Sequence, residues 1–92
     1  MEVKEAVKVA KDYVADILKE EGVVNLGLEE IEFGEGDNTW HVTLGFSRPW
    51  NTVRNALTAM TGENAPRRVY RVVKIKDDDG RVISLTKRDA IE

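Results

Sequence analysis

Val69–Arg88, VYRVVKIKDDDGRVISLTKR, decides how this chain is read. Two alternating runs flank an aspartate-rich turn that ends in Gly80, the pattern of a β-hairpin. A two-residue Asp79-Gly80 turn sets Ile75 opposite Ser84 and Val73 opposite Thr86, mixing apolar and polar groups on one face. A three-residue loop, Asp78-Asp79-Gly80, with Gly80 in the left-handed conformation, instead pairs Ile75 with Ile83 and Val73 with Leu85. A slip of one residue moves every side chain to the other face, so the second register is the predicted one. Tyr70, Val72, Lys74, Lys76, Val82, Ser84, Thr86 and Arg88 then share the opposite face. Arg71 and Lys87 fall opposite each other on the inward face, at a sheet margin, where they need an acidic neighbour.

Outward from the hairpin, the clearest further strand is Thr39–Ser47. Trp40, Val42, Leu44 and Phe46 point inward, while His41, Thr43 and Gly45 point outward. Gly45 marks a bulge or a close approach of backbone. Leu28–Phe33 alternates more weakly, with Ile31 and Phe33 on one face and Leu28, Glu30 and Glu32 on the other. The cluster Gly34-Glu35-Gly36-Asp37-Asn38 between these runs forms a turn. Pairing Phe33 with Trp40 and Ile31 with Val42 keeps the apolar sets together in a first hairpin.

The apolar residues Val3, Ala6, Val7, Ala10, Val14, Ile17 and Leu18 recur at three- and four-residue steps, which predicts an amphipathic helix from Val3 to Leu18. It ends near Glu21, where Gly22 takes the left-handed position after the last turn. One apolar stripe needs one partner surface, and a sheet supplies it. Between Arg48 and Arg68, the spacing of Trp50, Val53, Leu57 and Met60 predicts a short second helix, capped by Ser47 or Asn51 and ended by Gly62. The competing reading is a loop, because Asn51, Thr52, Asn55, Thr58 and Thr61 are poor helix formers. The tail Asp89–Glu92 frays. The fold class that results is α+β: an N-terminal helix packed on a four-stranded antiparallel sheet of two hairpins, with a short helix or loop between strands 2 and 3.

Ninety-two residues make a single domain, residues 1–92, able to bury roughly 60–65% of the surface its unfolded chain exposes. The chain has no cysteine and one histidine, which argues against disulfides, a thiolate nucleophile and a transition-metal site. No apolar run approaches the ~18 residues of a membrane span. The expectation is a cytoplasmic protein with no membrane association and no cofactor. Residues 1–47 carry eleven acids and four bases, a balance of −7, while residues 48–92 carry ten bases and six acids, +4. Such halves compensate each other on folding or present faces of opposite sign.

Motifs with chemistry are sparse. His41 has carboxylates in reach on the neighbouring strand, Glu30 or Glu32, but no identifiable nucleophile beyond Thr43, and a surface histidine is the simpler reading. Asp77-Asp78-Asp79-Gly80 fails the EF-hand spacing, because the residues then falling first and last are Ile75 and Thr86, which cannot ligate calcium. A hairpin turn explains the run. Gly34-x-Gly36 lacks the third glycine and the helix of a dinucleotide site. Arg67, Arg68, Arg71, Lys74, Lys76, Arg81, Lys87 and Arg88 make the last third basic, with Tyr70 outward. Arg71 and Lys87 face away, however, three aspartates sit at one end, and the whole chain is acidic, so the pattern argues against nucleic acid.

This order of elements resembles the cystatin-like α+β fold, in which an antiparallel sheet wraps one helix, and is similar to the small bacterial PepSY-type domains. Cystatin inhibitors carry Gln-x-Val-x-Gly in the first hairpin loop, where this chain has Gly34-Glu35-Gly36-Asp37-Asn38. They carry Pro-Trp in the second, where this chain has Asp77–Gly80, and Pro49-Trp50 lies in another segment. The resemblance therefore implies a topology and not protease inhibition.

The expectation for function is a non-enzymatic interaction module. Its outer sheet face, with His41, Thr43, Tyr70, Val72 and Lys74, binds a protein partner or a second copy in a homo-oligomer. The alternative is a small-ligand-binding or catalytic domain with a cavity between sheet and helix, lined by Trp40 and Trp50.

Overall fold

A computed structural model describes residues 1–52 and 66–88, without side-chain detail at 49–52, 66 and 67. Helix α1 spans Val3–Ile17 and runs into a 3-10 turn, Lys19–Glu21, closed by Gly22 at φ 68°. Its start is fixed by the Glu5 carboxylate, which accepts a hydrogen bond from the Glu2 backbone N–H at 3.3 Å. This satisfies a donor that the first helical turn leaves unpaired. Four strands follow, β1 Val24–Gly34, β2 Thr39–Thr52, β3 Pro66–Lys76 and β4 Val82–Arg88, forming one antiparallel sheet in the order β1-β2-β3-β4. The α+β architecture expected from the sequence is the one found.

The helix packs on one face of the sheet. Ala6, Ala10 and Val14 meet Val42, Leu44, Phe46, Val73 and Ile75, and all eight are fully buried. Alanines at two of the three buried helix positions let the helix backbone come close to the sheet, so larger sheet residues fill the layer. Leu18, Val23, Leu26, Ile31, Trp40, Val69, Val82 and Leu85 pack partly buried around this centre. Phe33 pairs with Trp40 and Ile31 with Val42, as the alternation predicts, and the two aromatic rings sit 4.9 Å apart at 55°. This tilted arrangement is a favourable one for aromatic pairs.

Two readings of the sequence are corrected here. The short helix predicted from Trp50 onward does not begin there, because β2 continues through Thr52 and pairs it with Pro66. Thr52, one of the residues that weakened the helix pattern, suits a strand, as does Trp50. Val53, Leu57, Met60 and Gly62 lie outside the described residues. The second correction concerns the β3–β4 turn, which is one residue longer than expected. Lys76 bonds with Arg81, since its N–H donates to the Arg81 carbonyl at 2.9 Å, while the Gly80 N–H returns to the Lys76 carbonyl, also at 2.9 Å. Asp77 is drawn away from β4: its N–H donates to the Asn38 carbonyl at 3.0 Å, and its carboxylate accepts from the Trp40 indole N–H at 2.9 Å. That indole bond holds the Asp77 carboxyl below its ordinary range. Gly80, at φ 71°, closes the turn in the left-handed region that other residues rarely adopt.

The extra turn residue is absorbed by a bulge. Ile75 pairs with Val82 rather than Ile83, and Lys74 pairs with Ser84, after which Val73–Leu85, Val72–Thr86, Arg71–Lys87 and Tyr70–Arg88 follow the predicted register. Val82 therefore packs against the core and Ile83 is left 49% exposed, the reverse of the expected placement. A second bulge, at Glu29, brings Leu28 opposite Leu44 on the helix-bearing side instead of outward with Glu30.

Arg71 and Lys87 do sit opposite each other on the inward face. Arg71 stands over the Phe46 ring, 5.8 Å from its centroid, beside Arg48 at 5.7 Å. The acidic neighbour near them is Glu21, at the end of the helical segment, which pairs with Arg48 at 2.8 Å.

Candidate functional site

The outer face is built on the second alternation of β2. Thr39, His41, Thr43, Gly45 and Ser47 follow one another along it, and all but His41 are buried, although no helix or strand among the described residues covers this side. Long side chains from the flanking strands do the covering. Arg68 of β3 reaches across Gly45 to β1, where its Nε and NH2 donate to Glu29 Oε2 at 3.0 and 2.8 Å and its NH1 donates to the Asn25 carbonyl at 2.7 Å. Gly45 makes this passage possible. A Cβ there would lie 2.7 Å from Arg68 Nε and 2.8 Å from Glu29 Oε2, and one at Gly27, its partner on β1, would lie 3.1 Å from Arg68 NH2.

Arg88 repeats the device from β4. Its NH1 donates to the Thr43 hydroxyl at 3.0 Å and also bonds Glu30. Two arginine–glutamate bridges thus cross the small residues of β2 and tie the basic strands to the acidic one. Tyr70 sits between Gly45 and Arg88 in the pairing scheme, and Val72 between Thr43 and Thr86.

Further along, the row Glu32–His41–Lys74–Ser84 crosses all four strands. His41 Nε2 lies 2.9 Å from the Thr39 hydroxyl, which is 2.7 Å from Asp37 Oδ1. A hydroxyl has one proton; given to the carboxylate, it leaves the oxygen to accept from His41, which places the ring proton on Nε2. The Thr39 bond is the main cause that holds the Asp37 carboxyl below its ordinary value. With its proton committed and its side chain buried, Thr39 orders the hairpin end.

All five residues singled out from the sequence, His41, Thr43, Tyr70, Val72 and Lys74, share this face and occupy adjacent positions on β2 and β3. Thr43 is only 2% exposed and forms the floor beneath Arg88. Sequence reasoning missed the bridging role of Arg68, Arg88, Glu29 and Glu30. The signal that points to them is the mid-strand pair Gly45 and Gly27, since an outward glycine among larger residues makes room for a crossing side chain.

Among the described residues no group of three histidine, cysteine, aspartate or glutamate side chains is arranged to hold a metal ion. No helix among them is long and apolar enough to cross a membrane. No protein-family model matches the chain, and no curated protein and no solved structure matches it.

Proposed function

We propose that the chain is a non-enzymatic interaction module whose outer sheet face docks a second copy of itself. The observation that carries this reading is the sidedness of charge on that face. Glu29, Glu30 and Glu32 belong to its β1 side, and Arg68, Lys74 and Arg88 are rooted on β3 and β4 beside Tyr70 and Val72 of β3, Arg68 and Arg88 reaching across β2 to Glu29 and Glu30. A two-fold axis parallel to the strands turns a copy over so that its β1 lies above β4 of the first. The acidic margin of each then meets the basic margin of the other, in a self-complementary contact.

Two further features support an interface over a buried cavity. Among the described residues, every fully buried side chain in the layer between helix and sheet is apolar, so that layer is filled as core. Glu32 and Lys74 have no ion-pair partner among the described residues and are left for one in another molecule. The contact is a weak, salt-sensitive one, because charges at this exposure are screened over about 8–10 Å in physiological buffers.

Charge exchange tests the arrangement. Lys74→Glu weakens self-association, and mixing it with Glu32→Lys protein restores a heterodimer, detected by concentration-dependent amide shifts on β2 and β3. Strictly monomeric behaviour of the wild-type protein at high concentration would remove self-association from the account.

A further inference from the structure

The helix-bearing face carries a second charged cluster, separate from the outer face. Beyond the helix, the inward positions of β2, β3 and β4 bring Arg48, Arg71 and Lys87 to one place: Arg71 pairs with Lys87 across β3 and β4, and the guanidinium groups of Arg48 and Arg71 lie 5.7 and 5.8 Å from the centroid of the buried Phe46 ring. Among the described residues Glu21 is the carboxylate near both Arg48 and Arg71, and its Oε1 is bonded to Arg48 NH1 at 2.8 Å. Lys19 and Glu20 of the same short helical turn are exposed and cancel in charge.

Among the described residues Arg71 has no ion-pair partner. Its only hydrogen bond among the described residues runs from NH1 to the carbonyl of Tyr70, at 2.8 Å. Burial, and then the charge of Arg48, push its ionisation below the ordinary value, and Glu21 opposes this only in part. Like charges directly opposite on paired strands are destabilising, and a partly desolvated guanidinium held over an aromatic ring keeps most of its N–H donors unused. Among the described residues, Arg71 and Lys87 add two positive charges beside the Arg48–Glu21 pair. Arginine's fork of donors matches a planar or tetrahedral oxyanion, and a lysine supplies a mobile point charge beside it.

We propose that Arg71, with Arg48 and Lys87, binds an oxyanion, the phosphate or carboxylate group of a small molecule, on the helix-bearing face of the sheet beyond the helix. The site is independent of the outer-face contact, since none of its three side chains lies on that side.

The test is a titration of the protein with inorganic phosphate, with succinate and with sodium chloride at matched ionic strength, followed by the backbone amides of Phe46, Arg71 and Lys87. Phosphate or succinate is expected to shift these amides saturably, and chloride is not; the anion that saturates identifies the group. Arg71→Gln is expected to weaken binding at least tenfold. Lys87→Gln, at an exposed position that leaves the fold intact, is expected to weaken it two- to fivefold. Shifts that fail to saturate, an equal response to chloride, or unchanged affinity in both variants would overturn the proposal.

Discussion

At the scale of single residues, Gly45 and Asp77 carry more consequence than their size or exposure suggests. Gly45→Ala places a methyl group where Arg68 and Glu29 meet. Both are flexible tips, so they move aside, and the cost is the bridge rather than the backbone. A partly exposed ion pair of this kind contributes up to about 1 kcal/mol. The substitution is expected to destabilise the protein by about that amount, and by much less in an Arg68→Ala background, because the two changes remove one interaction. Urea unfolding of the four proteins in this cycle measures the coupling. Asp77 governs acid behaviour. Its folded-state value is depressed below the ordinary 3.8 by the Trp40 indole bond, so its contribution is fully present above that ordinary value and is lost as pH falls through the depressed one. Asp37 acts in the same direction through Thr39. Thermal unfolding from pH 2 to 6 is expected to show a melting temperature that drops below pH about 4. In Asp77→Asn this drop is shallower and the neutral-pH melting temperature is lower.

At the scale of elements, the β3–β4 hairpin shows where sequence patterning informs and where it stops. Alternation placed Val73 opposite Leu85 and Tyr70 opposite Arg88, and that pairing is observed. It missed the turn, because the choice among loop lengths rested on matching Ile75 with Ile83. It could not include the pull of Asn38 and Trp40 on Asp77, which come from the other hairpin. A tertiary contact overrode the local rule, and the bulge at Ile83 restored the register beyond it. The consequence is measurable. Ile83→Lys is expected to change stability by no more than about 0.5 kcal/mol, as surface substitutions do. Val82→Lys, aimed at the core margin, is expected to cost about 2 kcal/mol or more, because a charge would be buried without a partner. Equal and large losses in both would contradict the bulge. The same reasoning accounts for residues 48–52: three- and four-residue spacing of apolar side chains suggested a helix, but pairing with the strand that begins at Pro66 extends the sheet instead. The N-terminal helix was legible throughout, since its amphipathic stripe and Gly22 are local features.

At the scale of the whole molecule, one face of the sheet is consumed by the helix and the other is held by its own crossing side chains. The first was legible because apolar alternation reports burial directly. Removing part of it is costly: Leu44→Ala, at a fully buried position, is expected to destabilise by about 2–5 kcal/mol in denaturant unfolding. The outer face was legible as a set of neighbouring residues but not as a network. Polar side chains in a sequence do not reveal whether they meet water or one another, and the reach of Arg68 and Arg88 across β2 to β1 depends on a register set by bulges. What remains on that face, among the described residues, is Glu32 of β1 and Lys74 of β3 without an ion pair, beside Tyr70 and Val72, and the proposed pairing with a second copy rests on them. Sedimentation velocity over a wide concentration range, at low salt and at about 0.5 M salt, tests this most directly. The account predicts a monomer–dimer equilibrium at low salt that weakens at high salt and is abolished in Tyr70→Ala/Val72→Ser. A wild-type protein that sediments as a monomer at every concentration, or a dimer that is indifferent to both salt and the double substitution, would contradict it.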